Sequence, residues 1–146
     1  TIQSGIYPRK IKKYSAHTEV TSLATPLLAP MIEEGFFNNR ISRTVIHSYL
    51  EKKSLQNIEA IILGCTHYPL IRKEIEEFYK GSVDVVDSAE MVALTVKNLL
   101  AESDLLSTQN IPHLRFLVSD FTESFESSAT YFFPEKVNLE EQDIWK

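Results

Sequence analysis

The chain has 146 residues, 43% of them hydrophobic, with 20 acidic and 15 basic side chains and a net charge of -5. That length suits one compact domain, or one and a half small ones, and the composition supports a real core. The acidic balance argues against a nucleic-acid backbone or an anionic membrane as the main partner, and four glycines and six prolines exclude a fibrous or low-complexity chain.

The first residue is Thr1, and TIQSGIYPRKIKKY has no strand leading into it. An internal start is expected, with the chain a piece of something longer. RKIKKY after Pro8 reads as a short basic helix, since proline is tolerated only in a first turn or at a kink. EVTSLAT (residues 19–25) reads as a short strand ending at Pro26. PLLAPMIEEGFF has helical character and stops near Gly35, a natural residue just past a helix end. NRISRTVIHSYLEKK sets Ile41, Val45, Ile46, Tyr49 and Leu50 on one helical face. EAIILG is an apolar run without alternation, which suits a strand covered on both faces of a parallel sheet.

PLIRKEIEEFYK carries Ile71, Ile75, Phe78 and Tyr79 on one stripe, with Pro69 at the first helical position. VDVVDS predicts another strand, and Ser88 is expected to cap the helix AEMVALTVKNLLAE. The polar stretch ESDLLSTQNIPH, broken by Pro112, is the best linker candidate. LRFLVSD predicts a last strand, and TESFESSATYFF a last helix with Phe125, Ala129, Phe132 and Phe133 aligned. The tail from Pro134 onward shows no clear element. Strands alternating with helices imply a parallel α/β architecture. No apolar run reaches the ~18 residues of a membrane span.

The only cysteine, Cys65, sits in AIILGCTHYPL, directly after the apolar run. One cysteine makes no intrachain disulfide, which fits a reducing cytoplasm. If residues 59–63 form a strand, Cys65 lies at its carboxyl end, where open α/β sheets bind ligands. Gly64 permits a sharp turn. A helix starting near Pro69 would favour an anion at Cys65, whether a thiolate or a bound carboxylate. Thr66 offers a hydroxyl to a carboxylate, and His67 can move protons near neutral pH. The alternative is an inert Cys65 that packs as a small hydrophobe. A zinc site needs a second ligand cluster, which the sequence lacks, so no metal is expected. His47 is expected on the polar side of its helix, and His17 and His113 in solvated turns.

LGCTHYPLI resembles the second catalytic motif of the glutamate racemases, cofactor-independent enzymes that invert glutamate at its α-carbon. TIQSGIYPRKI, LATPLLAPMIEEG, VDVVDSAEMVA and RFLVSDFTESFESSA resemble further stretches of the same family, in the same order. Related aspartate racemases tend to carry a different residue at the histidine. The resemblance implies that Cys65 is one of two catalytic thiols and deprotonates the L enantiomer, with His67 assisting. It implies that Thr66 and Thr1 contact substrate. Glu33 matches a family position near the site, which implies that it tunes the histidine; a solvated helix-end charge is the alternative. Thr25 stands where the family often has cysteine and is read as a packing change. The family's other thiol motif, Cys-Asn-Thr, has no counterpart in this chain.

The implied fold is α/β: the parallel-sheet lobe of a two-lobed aspartate/glutamate racemase-like fold, with the N-terminal lobe largely missing. Residues 1–87 would form the second lobe, lacking its first strand, and residues 88–146 would return to the first lobe. The implied function is supply of D-glutamate for peptidoglycan in the cytoplasm, without cofactor. Its partners would be glutamate, the enzyme's own N-terminal lobe and a second subunit in a homodimer. Two alternatives stay open: a Cys-His hydrolase or amidotransferase, although Tyr68 and Pro69 depart from the usual nucleophile elbow, and a non-catalytic half-module used for binding.

Overall fold

Two four-residue stretches organise the chain. AIIL forms β1 (Ala60–Leu63) and DVVD forms β2 (Asp84–Asp87). They pair in parallel, with Ala60 opposite Asp84 and Leu63 opposite Asp87. Parallel neighbours need a crossover, here a 3-10 turn (Tyr68–Ile71) followed by α4 (Arg72–Tyr79). The computed structural model describes residues 2–108, 114–133 and 137–143. Ahead of the β1–β2 unit come α1 (Ile6–Tyr14), α2 (Leu28–Glu33) and α3 (Arg40–Leu50). After it come α5 (Ser88–Glu102), β3 (Phe116–Val118), α6 (Glu123–Phe132) and β4 (Leu139–Glu141). β3 and β4 form a second parallel pair, from Phe116 opposite Leu139 to Val118 opposite Glu141. The fold is α/β with short parallel sheets, as the alternating pattern implies.

The core gathers where α2, α3 and α4 meet β1 and β2. Ile32, Ile46, Leu63 and Ile71 are almost completely buried there. Every buried hydrophobic among the described residues lies between Leu28 and Val85. The helical stripe of α3 points Ile46, Tyr49 and Leu50 inward, but Ile41 in its first turn is exposed.

Polar groups pin the helix ends. Asn39 caps α3, its Oδ1 accepting from the amides of Ile41 and Ser42, while Ser42 Oγ accepts from the Asn39 amide. Buried Glu74 on α4 ties this cap to the neighbouring helix. Its carboxylate accepts from the Asn38 amide at 3.0 Å and from Ser42 Oγ at 2.5 Å. At the end of α2, Gly35 takes φ 77°. The amides of Gly35 and Phe36 then reach back to the carbonyls of Ile32 and Met31, both at 2.9 Å. That pattern satisfies the helix's last acceptors and needs a residue tolerant of the left-handed region. A β-carbon on Gly35 would also lie 2.8 Å from the Tyr131 hydroxyl.

Several expectations are corrected. Residues 19–25 form no strand, because no neighbouring strand pairs with them despite their β-branched residues. Ser88 is the first residue of α5 rather than its cap. Asp87 caps instead, accepting from the Ala89 amide, and Ser88 Oγ donates to the Leu63 carbonyl at 3.1 Å. Pro69 falls in the 3-10 turn and α4 starts at Arg72. β1 is covered on one face, with Leu63 buried and Ile61 partly so, while Ala60 and Ile62 are exposed. The tail contains β4, whose sequence LEE shows no strand pattern. Pro112 and His113 lie outside the described residues.

From Ala89 to Glu102 every residue of α5 is exposed, including Met91, Val92, Leu94, Val96 and Leu99. A helix this apolar is ordinarily covered. Its first turn is anchored by Ser88 and by Arg72, which bridges Glu76 and Glu90. Those two carboxylates raise the Arg72 guanidinium above its ordinary value.

Replacing Glu74 tests the link between α3 and α4. Glu74→Ala removes two hydrogen bonds, one of them buried, and is expected to cost about 1–3 kcal/mol, with Glu74→Gln costing less. Urea unfolding followed by circular dichroism measures both. Equal midpoints for wild type and Glu74→Ala would contradict the assignment.

Candidate active site

The site grows from the carboxyl end of β1. Its apolar run ends at buried Leu63, and the chain turns through Gly64, Cys65 and Thr66. Gly64 is approached by the Tyr7 ring of α1, which lies 3.8 Å from where a β-carbon would stand. The Tyr68 amide donates to the Cys65 carbonyl at 3.2 Å, and the Leu70 amide to the His67 carbonyl at 3.2 Å. These bonds hold the turn so that Cys65 and His67 point to the same side.

Three expected residues come together. Cys65 Sγ lies 3.6 Å from His67 Nδ1. On the far side of the ring, His67 Nε2 lies 3.1 Å from Glu33 Oε1, at the end of α2. Cys65 is half-buried and Glu33 is exposed. The contacts suit proton transfer. An ionised Glu33 carboxylate accepts only, so the tautomer with a proton on Nε2 faces it, and in that tautomer Nδ1 can accept from the thiol. A carboxylate behind the ring orients it.

Thr66 is exposed beside Cys65. Thr1 lies outside the described residues. His17 and His47 are exposed, His47 packing edge-on against Phe78 at 4.8 Å. The expected helix N-terminus at Cys65 is corrected: the α-helix begins only at Arg72, beyond a 3-10 turn. Helix-end fields fade within about one turn, and the group in contact with this sulfur is the His67 imidazole. No group of three or more His, Cys, Asp or Glu that could hold a metal ion occurs among the described residues.

Three contacts were not foreseen from the sequence. Phe132 of α6 stands edge-on to the His67 ring, centroids 6.0 Å apart. Its neighbour Tyr131 packs edge-on against Phe37 at 5.0 Å, setting α6 against the end of α2. The hydroxyls of Thr25 and Tyr68 meet at 2.5 Å. Burial raises the Tyr68 phenol above its ordinary value; the Thr25 bond opposes this, and charge at Cys65 adds to it. Tyr68 was in view inside the motif, but nothing local in the sequence names its partner.

No family model matches the chain. Curated relatives do. The chain is 40% identical over 135 residues to the glutamate racemase of Chlorobaculum parvum, covering 90% of this chain and 49% of that protein. It is 35% identical over 147 residues to the glutamate racemase of a Thermoanaerobacter species, covering 100% of this chain and 56% of the other. Among solved structures, the Francisella tularensis glutamate racemase in complex with D-glutamate superposes with TM-score 0.86 at 34% identity, over 99% of this chain and 54% of that one. The Thermus thermophilus glutamate racemase in complex with β-chloro-D-alanine gives TM-score 0.83 at 30% identity, over 99% and 53%. This chain is a C-terminal portion of the glutamate racemase fold. It spans about half the length of the curated racemases it matches.

Accessibility of the racemase-like thiol is directly testable. Because Cys65 is half-buried rather than sealed, its reaction with a disulfide reagent in buffer is expected within about tenfold of the rate in urea. Protection by several orders of magnitude would place the sulfur in the core.

Proposed function

We propose that this chain carries one of the two proton-transferring thiols of a cofactor-independent racemase that interconverts L- and D-glutamate for peptidoglycan synthesis. The observation that carries the reading is the unbroken line Glu33–His67–Cys65 at the carboxyl end of a parallel strand. The racemase relatives support the reaction class.

The chemistry is balanced by two thiols. His67 first takes the Cys65 proton. The thiolate then abstracts the α-proton of L-glutamate, forming Cys65–SH and leaving the electron pair on the α-carbon. A thiol on the opposite face returns a proton and becomes the new thiolate. That thiol belongs to protein outside this chain, since Cys65 is the only cysteine present. In this reading Thr66 donates to a substrate carboxylate, a role its exposure next to Cys65 supports. Thr1 has the same role in this reading, by resemblance alone.

In the same reading, residues 1–87 are the second lobe and residues 88–146 return to complete the first. Two observations among the described residues support this division: buried hydrophobics stop at Val85, and no residue of the apolar helix α5 is buried. The chain alone is expected to leave glutamate unracemised, because one thiol cannot serve both faces.

The same three side chains match the hydrolase alternative, for which ammonia release from glutamine and a mass increment on Cys65 would be the signature. Neither is expected. The main test is Cα–H exchange of L-glutamate in deuterated solvent, catalysed by the complete enzyme. Cys65→Ala is expected to lower it by about 10²–10⁴-fold. Undiminished exchange would falsify the assignment of Cys65.

A further inference from the structure

The contact between Glu33 and His67 does not hold itself together. The side chains are 54% and 28% exposed, and exposed ion pairs contribute only about 0–1 kcal/mol. Glu33 arrives from α2 and His67 from the turn after β1, so something must fix one segment against the other. One hydrogen bond spans them directly. Thr25, just ahead of α2, meets Tyr68, the residue after His67, with their hydroxyl oxygens 2.5 Å apart in a part-buried position. Each end is itself anchored. The Tyr68 amide is bonded to the Cys65 carbonyl. The Leu27 amide, at the start of α2, donates to Tyr49 Oη at 3.3 Å. α2 is short and closed at its far end by the Gly35 and Phe36 amides, so movement at Thr25 carries through to Glu33.

We propose that the Thr25–Tyr68 hydrogen bond is the strut that sets Glu33 against His67, making Thr25 and Tyr68 positioning residues for proton transfer at Cys65. This rests on the reading of Cys65 as a proton-transferring thiol. It replaces the expectation that threonine at position 25 is a mere packing change: the hydroxyl is what the position contributes. The groups facing His67 are Glu33 from α2, Cys65 from the turn and the uncharged Phe132 ring from α6. Tyr68 couples to the site through Cys65 and Thr25.

Cys65 is the only cysteine, so alkylation of this chain by iodoacetamide reads one sulfur. Its rate is measured against pH for wild type, Tyr68→Phe, Thr25→Val and Thr25→Ser, with His67→Gln and Glu33→Gln as references. Tyr68→Phe and Thr25→Val are each expected to shift the histidine-dependent step and to slow the reaction about 3–10-fold near neutrality, the equivalent of one ordinary hydrogen bond. The double variant is expected to be no worse than either single one. Thr25→Ser, which keeps the hydroxyl, is expected to retain the wild-type profile. In the complete enzyme, the two disruptive variants are expected to lower kcat with KM unchanged. Wild-type profiles in folded Tyr68→Phe and Thr25→Val overturn the strut; should Tyr68→Phe not fold, Thr25→Val decides. If those profiles are unmoved while the His67→Gln and Glu33→Gln profiles shift, the strut fails and the thiol reading stands. If the reference variants are also silent, both fall together.

Discussion

His67 touches a sulfur on one side and a carboxylate on the other, and that double contact depends on how closely α2 lies against the end of β1. The polar groups are too exposed to impose this. The apolar groups beneath them are not: Ile32 of α2, Leu63 of β1 and Ile71 of the 3-10 turn are 0%, 2% and 0% exposed. Burying side chains of this size contributes about 1.5–3 kcal/mol each, against about 0–1 kcal/mol for a surface ion pair. Packing therefore brings the two segments together, and the Thr25–Tyr68 bond on top of it sets the alignment of the proton-handling groups.

The two ends of the β1–β2 pair finish side by side, Leu63 opposite Asp87. One end leads into the Cys65 turn and the other into α5. Ser88 joins them by bonding the Leu63 carbonyl, one residue before Gly64. The start of α5 is thus coupled to the backbone of the turn that carries the sulfur. In the proposed reading, that coupling links the site to the part of the protein that α5 would pack against.

The sequence was legible where a local pattern and its environment agreed. AIIL and DVVD read as strands and are strands, and helices stand where α3, α5 and α6 were expected, although Asp87 and not Ser88 caps α5. Residues 19–25 misled because valine and threonine signal a strand only if a partner is at hand. β4 escaped notice because LEE owes its pairing to β3 and not to its own residues. Cys65, His67 and Glu33 could be picked out by kinship with racemases, and the structure brings them together. Thr25 with Tyr68, and Phe132 with His67, could not. Those contacts join residues far apart in sequence, and pairwise proximity of that kind leaves no trace in composition or period.

Gly35 illustrates how far the chemistry reaches into the frame. Its left-handed backbone closes α2, and its missing side chain leaves room for the Tyr131 hydroxyl. Tyr131 precedes Phe132, the ring that stands against His67. A methyl group there would both strain the backbone and press on the helix that walls the histidine. A side chain at position 35 therefore meets two obstacles, a left-handed backbone and the Tyr131 hydroxyl, though the residue takes no part in moving a proton.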